Sequence, residues 1–284
     1  MKPPPFTYHR ARDVAGAADL VAELGEDAKF LAGGQSLIPM MNFRLARPEH
    51  LIDIGGLREL SFVDAGPEAL RVGSLTTHRT VETADLGTGF DVVREAMRWI
   101  GHLPIRTRGT VGGSLAHADA TAEWCLLAVL LDAEIVVAGA GGRRRTIAAG
   151  DAFLGFYTTL LADDELIVEV VFGRPAPHAA VTEFAERKGD FAVVSAAVDL
   201  DVGSGAVAGG RVALGGVGPA VVRVPEAERV LQAGGRACRD LFEACADAAA
   251  QAVDPPADGD AGTEYRRALV RNLVIRACEE AVAR

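Results

Sequence analysis

The order of apolar and polar residues changes period repeatedly along the chain, and each change predicts an element. A short strand falls around Phe6 to Tyr8. Asp13 then precedes Val14, Ala17, Leu20, Val21 and Leu24, a spacing that predicts a capped helix ending at Leu24. Apolar runs at Lys29 to Leu31 and Leu51 to Ile54 predict buried strands, the second closed by Gly55-Gly56. Those glycines set the first internal boundary, after a small α/β lobe.

Beyond it, strands are predicted near Leu60 to Val63 and Leu70 to Val72, followed by a helix capped by Thr76 or Thr77 and running to Asp85. A second helix covers Val92 to Ile100 and stops at Gly101-His102-Leu103-Pro104. The spacing of Ala122, Leu126, Leu127, Leu130 and Leu131 predicts a buried helix with Glu123 in its first turn. Strands at Glu134 to Val137, Arg143 to Ile147 and Leu166 to Phe172 complete a second lobe, and Pro175-Ala176-Pro177 reads as a linker.

The remainder orders its elements differently. Three strands (Val181 to Glu186, Phe191 to Asp199, Gly210 to Leu214) precede three helices (Pro225 to Gln232, Arg236 to Val253, Tyr265 to Ala283), an α+β arrangement. Asp254 to Asp260 is a loop by composition. The division is therefore 1–176, with lobes 1–56 and 57–176, and 177–284.

With 49% hydrophobic residues over 284 positions, the chain has enough apolar surface for a substantial core. No run reaches the roughly 18 apolar residues of a membrane span, and Met1-Lys2-Pro3-Pro4-Pro5 has no signal-peptide core. The expectation is a cytoplasmic protein without a transmembrane segment. A formal net charge of −10 argues against nucleic acid or an anionic membrane as partner, and requires that any anionic cofactor be held by local donors.

The cysteines Cys125, Cys238, Cys245 and Cys278 form no C-x-x-C pair and join no His cluster with metal-ligand spacing. No metal or iron–sulphur cluster is expected on this chain. Trp99 and Trp124 read as packing residues, with an interface role as the alternative, and His78 as a surface helix residue rather than a ligand.

Two stretches carry candidate chemistry. Ala32-Gly33-Gly34-Gln35-Ser36-Leu37 follows a strand, and Thr110-Val111-Gly112-Gly113-Ser114 leads to Ala116-His117-Ala118-Asp119. Glycine lets backbone N–H groups approach a ligand closely, and Ser adds a hydroxyl, so each motif suits a pyrophosphate. Each is also compatible with an ordinary tight turn. Arg106 and Arg108, just before the second motif, read equally as surface charges or as cations serving that loop.

Taken together, Ala32 to Pro39 with Arg44-Leu45-Ala46-Arg47-Pro48, and Ile105 to Ser114 with Ala116-His117-Ala118-Asp119, resemble the FAD-binding medium subunit of molybdenum hydroxylases. Carbon monoxide dehydrogenase and xanthine dehydrogenase represent that family. Gly189-Asp190-Phe191-Ala192, Gly215 to Gly218 and Tyr265 to Ala277 extend the resemblance nearly to the end of the chain. Ala120 and Cys125 stand where relatives often have Pro.

The resemblance implies an α+β fold: a two-lobed FAD-binding domain of the PCMH type, followed by a smaller α+β C-terminal domain. It places Ala32, Gly33, Gly34, Gln35, Ser36 and Leu37 around the pyrophosphate from one lobe. Thr110, Val111, Gly113 and Ser114 would meet it, or the ribityl chain, from the other. His117 and Glu123 would face the flavin side, Glu123 accepting from ribityl or ribose hydroxyls. Ile167, Lys188 and Phe191 would lie near the isoalloxazine. No catalytic side chain and no metal ligand is implied.

The implied function is electron transfer through FAD. Its partners are a small subunit with [2Fe–2S] clusters, a large molybdopterin subunit that oxidises the substrate, and an external acceptor. Two other readings are open: a stand-alone FAD-dependent oxidase or reductase, and a non-enzymatic nucleotide-binding module.

Overall fold

The computed structural model describes residues 2–257 and 262–284, so Asp258, Gly259 and Asp260 of the expected loop lie outside the described residues. The first lobe is a parallel three-stranded sheet in the order β1-β3-β2, with β1 Thr7–Arg10, β2 Ala28–Leu31 and β3 His50–Asp53. Helix α1 (Val14–Leu24) starts as its sequence predicts, the Asp13 carboxylate accepting from Gly16 N at 2.7 Å, and buries Ala17, Ala18 and Val21. A short helix, α2 (Leu37–Asn42), follows the first glycine motif.

The second lobe is an antiparallel sheet in the order β4-β5-β10-β6-β7. Its strands are β4 Val63–Ala65, β5 Leu70–Gly73, β6 Glu134–Gly139, β7 Arg143–Ala148 and β10 Leu166–Phe172. Between β5 and β6 run α3 (His78–Thr83), α4 (Asp91–Ala96), α5 (Leu103–Arg106), α6 (Val111–His117) and α7 (Glu123–Leu130). Helix α7 carries apolar residues on all sides, and every residue from Trp124 to Leu130 is buried, so it forms the lobe's central rod.

Several bounds differ from the pattern-based expectation. The strand expected at Leu60 to Val63 begins only at Val63, because Arg58–Leu60 turns as a 3-10 helix. The helix from Val92 gives way at Met97 rather than Ile100. Helix α5 and three further elements, α8 (Ala149–Ala152), β8 (Phe153–Gly155) and β9 (Thr158–Thr159), were not predicted; they are too short to express a period.

The C-terminal part is an antiparallel sheet, β11-β12-β13-β14, with a further strand, β15, on β13. Its elements are β11 Ala179–Phe184, β12 Val194–Gly203, β13 Ala206–Gly215, β14 Val222–Arg223, α9 Pro225–Gln232, β15 Gly235–Arg236, α10 Arg239–Ala252 and α11 Thr263–Val282. One face, with Ala180, Ala196, Val198, Val212 and Leu214, packs on α10 and α11. The other face presents Val181, Ala197 and Ala213 to the core that surrounds α7. Both faces of this sheet are therefore buried, as the runs of small apolar residues in β12 and β13 require.

The Val181–Ala197–Ala213 row fixes how closely the two parts approach. Ala197 is fully buried, so Ala197→Leu is expected to overpack the seam and lower stability by about 1–3 kcal/mol in urea unfolding. An unchanged midpoint would mean that the seam is not close-packed at this row.

Candidate functional site

The site is built where the two glycine motifs touch. After β2 the chain leaves the sheet at Ala32, and Gly34 turns it through a positive φ of 71°. Gln35 Nε2 donates to Gly33 O at 3.0 Å, and Ile38 N to Gly34 O at 3.2 Å. The N–H groups of Gly33, Gly34, Gln35 and Ser36 make no hydrogen bond among the described residues, and the Ser36 hydroxyl does not cap α2. This half-buried turn is a concave set of donors of the kind that holds an anion.

The second motif was expected to be a loop like the first; it is the opening of α6. Its donors are already engaged. Thr110 Oγ1 accepts from Gly113 N at 3.2 Å, while Val111 N and Gly112 N donate to the carbonyls of Thr76 and Ser74 at 3.0 and 2.8 Å. Ser114 N donates to Thr110 O at 3.0 Å. What α6 contributes is the bare Cα of Gly113 and the hydroxyls of Thr110 and Ser114. A Cβ on Gly113 would lie 2.8 Å from Thr110 Oγ1 and 4.0 Å from Ala32 Cβ.

Glycine is required at Gly33 by close approach. A Cβ there would lie 2.8 Å from the carbonyl carbon of Arg108 and 3.0 Å from Gly109 Cα, and nearer still to the Arg108 oxygen. Gly109 in turn sits on His78: a Cβ would fall 2.7 Å from His78 Nε2, and His78 N donates to Gly109 O at 3.0 Å.

His78 is thus not the surface residue expected. It is 5% exposed, and its Nδ1 accepts from the fully buried Trp124 indole at 3.0 Å. Burial first, then the nearby Arg106 cation, lowers its pKa to about 4, so it is a neutral strut. Arg106 is also structural: it pairs with Glu82 at 3.1 Å and donates to the carbonyls of Ile100 and Gly101 at 3.2 and 3.0 Å. The Arg108 side chain is exposed.

At the far end of α6, His117 stacks on Tyr157, with ring centroids 4.9 Å apart and 33° between planes. Tyr157 sits between β8 and β9 with a positive φ of 53°. Burial lowers the His117 pKa against the opposing pull of Asp119. Asp119 is held in place by Thr121, whose N and Oγ1 donate to it at 2.8 and 2.7 Å.

Glu123 opens α7, and its carboxyl is pushed up to about 8, first by burial and then by Glu183 on β11. Glu183, 7% exposed, is itself pushed up to about 7 by burial. Glu183 was not among the expected residues. Its sequence signal is a Glu in phase with the inward-facing Val181.

The remaining expected residues are more dispersed. Lys188 and Phe191 lie on the segment joining β11 to β12. It is anchored by Gly189, where a Cβ would sit 2.6 Å from His102 Nδ1; Phe191 is 74% exposed. Ile167, 6% exposed, is turned into the second lobe's core beside Leu115, Ile135 and Ile147.

This arrangement fits FAD. An anionic pyrophosphate needs free donors and close backbone approach, which Gly33 to Ser36 and Gly113 offer. The acidic end, with Asp119, Glu123 and Glu183, suits a hydroxyl-bearing chain rather than a phosphate.

Residues 4–175 match the family model of the FAD binding domain in molybdopterin dehydrogenase, and residues 179–281 that of the CO dehydrogenase flavoprotein C-terminal domain. The chain is 38% identical to the nicotine 6-hydroxylase medium subunit of Paenarthrobacter nicotinovorans, over 100% of both chains. It is 35% identical to the carbon monoxide dehydrogenase medium chain of Hydrogenophaga pseudoflava, over 100% of this chain and 99% of that one. A solved structure of carbon monoxide dehydrogenase from that organism superposes with a TM-score of 0.94 at 35% identity, and covers 100% of this chain and 99% of that one. Quinoline 2-oxidoreductase from Pseudomonas putida 86 gives the same TM-score and coverage at 32% identity.

Gly33→Ala is expected to force the first motif off Arg108, at a cost of about 1–3 kcal/mol in stability, and to weaken FAD binding at least about tenfold. Fluorescence titration of the apo chain measures this, and wild-type affinity in the variant would detach the Gly33–Arg108 contact from cofactor binding.

Proposed function

The chain belongs to the FAD-binding medium subunits of the molybdopterin dehydrogenases, and from that premise we propose that it relays electrons between an iron–sulphur subunit and an external acceptor. The large molybdopterin subunit of the same complex oxidises the substrate. When bound, FAD supplies the redox chemistry through its isoalloxazine. The observation that carries the reading is the contact of Gly33 with the Arg108–Gly109 backbone, which sets the free donors of one lobe against α6 of the other.

In this reading the N–H groups of Gly33 to Ser36 hold the pyrophosphate, flanked by Ala32 and Leu37. Thr110, Val111, Gly113 and Ser114 close the opposite wall with hydroxyls and bare backbone. His117 and Glu123 line the flavin side, and Lys188 and Phe191 belong to the ring end, with Ile167 packed behind it in the second lobe's core. The join between the FAD-binding and C-terminal domains falls at 176/177. None of these side chains serves as nucleophile or metal ligand.

Partners are supported by the chain's own inventory. Three of its four cysteines, Cys125, Cys245 and Cys278, are buried, and among the described residues no group of three metal-binding side chains occurs. In this proposal the clusters and the molybdenum centre reside on other chains. No helix among the described residues is long and apolar enough to cross a membrane, and the complex is proposed to be cytoplasmic.

The test is to isolate the tagged chain from its native host under mild conditions and assay it for bound FAD, iron, acid-labile sulphide and molybdenum. The expected result is FAD with all three inorganic components, and no substrate turnover by the chain purified alone. A solitary chain that oxidises a substrate unaided would replace this reading with that of a self-sufficient flavoenzyme.

A further inference from the structure

The β8–β9 hairpin holds an aromatic ring at the end of α6. Its strands pair Phe153 with Thr159 and Gly155 with Thr158, so that Phe156 and Tyr157 form the turn. The hairpin is tied to the second lobe. Leu160 N donates to Ala152 O at 2.9 Å, and Arg145 Nη2 donates to Leu160 O at 2.8 Å. Phe153 and Leu161 pack against the core around α7. Within this frame Tyr157 adopts a φ of 53°, a left-handed conformation that is costly for a bulky residue and far easier for Gly or Asn. Strain of this kind collects at ligand sites.

The ring also ends a stripe along α6. Gly113, Ser114 and His117 are half-buried, while Val111 and Leu115 point into the core. Gly113 and His117 are four residues apart and share a face. The first glycine motif approaches at Gly113, where a Cβ would lie 4.0 Å from Ala32 Cβ. His117 stands one turn further on, about 6 Å along the helix, and Tyr157 packs on it with ring centroids 4.9 Å apart and 33° between planes. In FAD a five-carbon ribityl chain separates pyrophosphate from isoalloxazine, and its span is comparable to that turn of α6. A pyrophosphate held by Gly33 to Ser36 beside Gly113 therefore sets the isoalloxazine towards the His117 end.

Tyr157 is suited to meet it there. The residue is 58% exposed, so the side of its ring turned away from His117 is open. A fixed aromatic ring with one open side offers a flat partner to another ring. Burial, and then the charge of Asp119, raise the phenol, which is therefore uncharged at neutral pH.

We infer that Tyr157, backed by His117, is the aromatic wall against which the isoalloxazine of bound FAD lies. The inference rests on the reading that His117 faces the flavin.

The test follows FAD binding to the full-length apo chain by flavin fluorescence, recording both the affinity and the emission per bound FAD. A tyrosine ring in contact with an excited isoalloxazine quenches it, and a phenylalanine ring does not. Tyr157→Phe keeps the stack and should bind within about twofold of wild type, with brighter bound flavin. Tyr157→Asn suits the left-handed backbone and should unfold in urea near the wild-type midpoint. It should nevertheless bind about twofold to tenfold more weakly, again with brighter bound flavin. Phe156→Leu, on the same turn, should leave affinity and emission as in wild type.

Wild-type affinity and emission in Tyr157→Asn would overturn the inference. Weaker binding with unchanged emission in both Tyr157 variants reduces Tyr157 to a support for His117 and overturns it as well. So does a Phe156→Leu variant that behaves like Tyr157→Asn, since the fold of the turn would then be responsible. If His117→Ala binds FAD with wild-type affinity and emission, the reading of His117 as flavin-facing fails instead.

Discussion

The close approach of Gly33 to the backbone of Arg108 and Gly109 is the contact on which the site depends. No side chain fits there, so at this point the parallel lobe and the antiparallel lobe meet through bare main chain, beside the apolar cluster in which Ala17 and Val21 of α1 join Ala138 and Leu166. That leaves the N–H groups of Gly33 to Ser36 open on one side of the contact and α6 fixed on the other. The two motifs look alike in sequence and differ in role. The first keeps its donors free, and the second consumes its own in Thr110, Ser74 and Thr76.

What fixes α6 is a chain of buried polar contacts. Gly109 rests on His78, and His78 accepts from the Trp124 indole at the start of α7. Helix α7 is held in turn between the second lobe and the C-terminal sheet. The C-terminal domain therefore supports the rod whose first turn carries Glu123.

Long periodic elements were legible in the sequence. Helix α1 with its Asp13 cap, strand β10 and helix α9 occur where their patterns place them. The paired motifs carried the family resemblance, and the family models cover both motifs and the C-terminal segment. His78 was misread because its local pattern is that of a polar helix; its burial is imposed by Gly109 and Trp124, which are remote in sequence. Glu183 was missed for a similar reason. The burial of a lone Glu in a strand shows only once its cross-strand neighbours and the opposing α7 are known. The short elements from Ala149 to Thr159 gave no periodic signal, yet they place Tyr157 on His117.

The most direct measurement of the account is amide hydrogen exchange of the purified chain with and without FAD. Exchange at Gly33 to Ser36 should slow on binding, because those amides make no hydrogen bond among the described residues. Amides 111–114, already bonded within the chain, should change much less. FAD binding that leaves Gly33 to Ser36 unprotected would contradict the account and place the cofactor elsewhere on the chain.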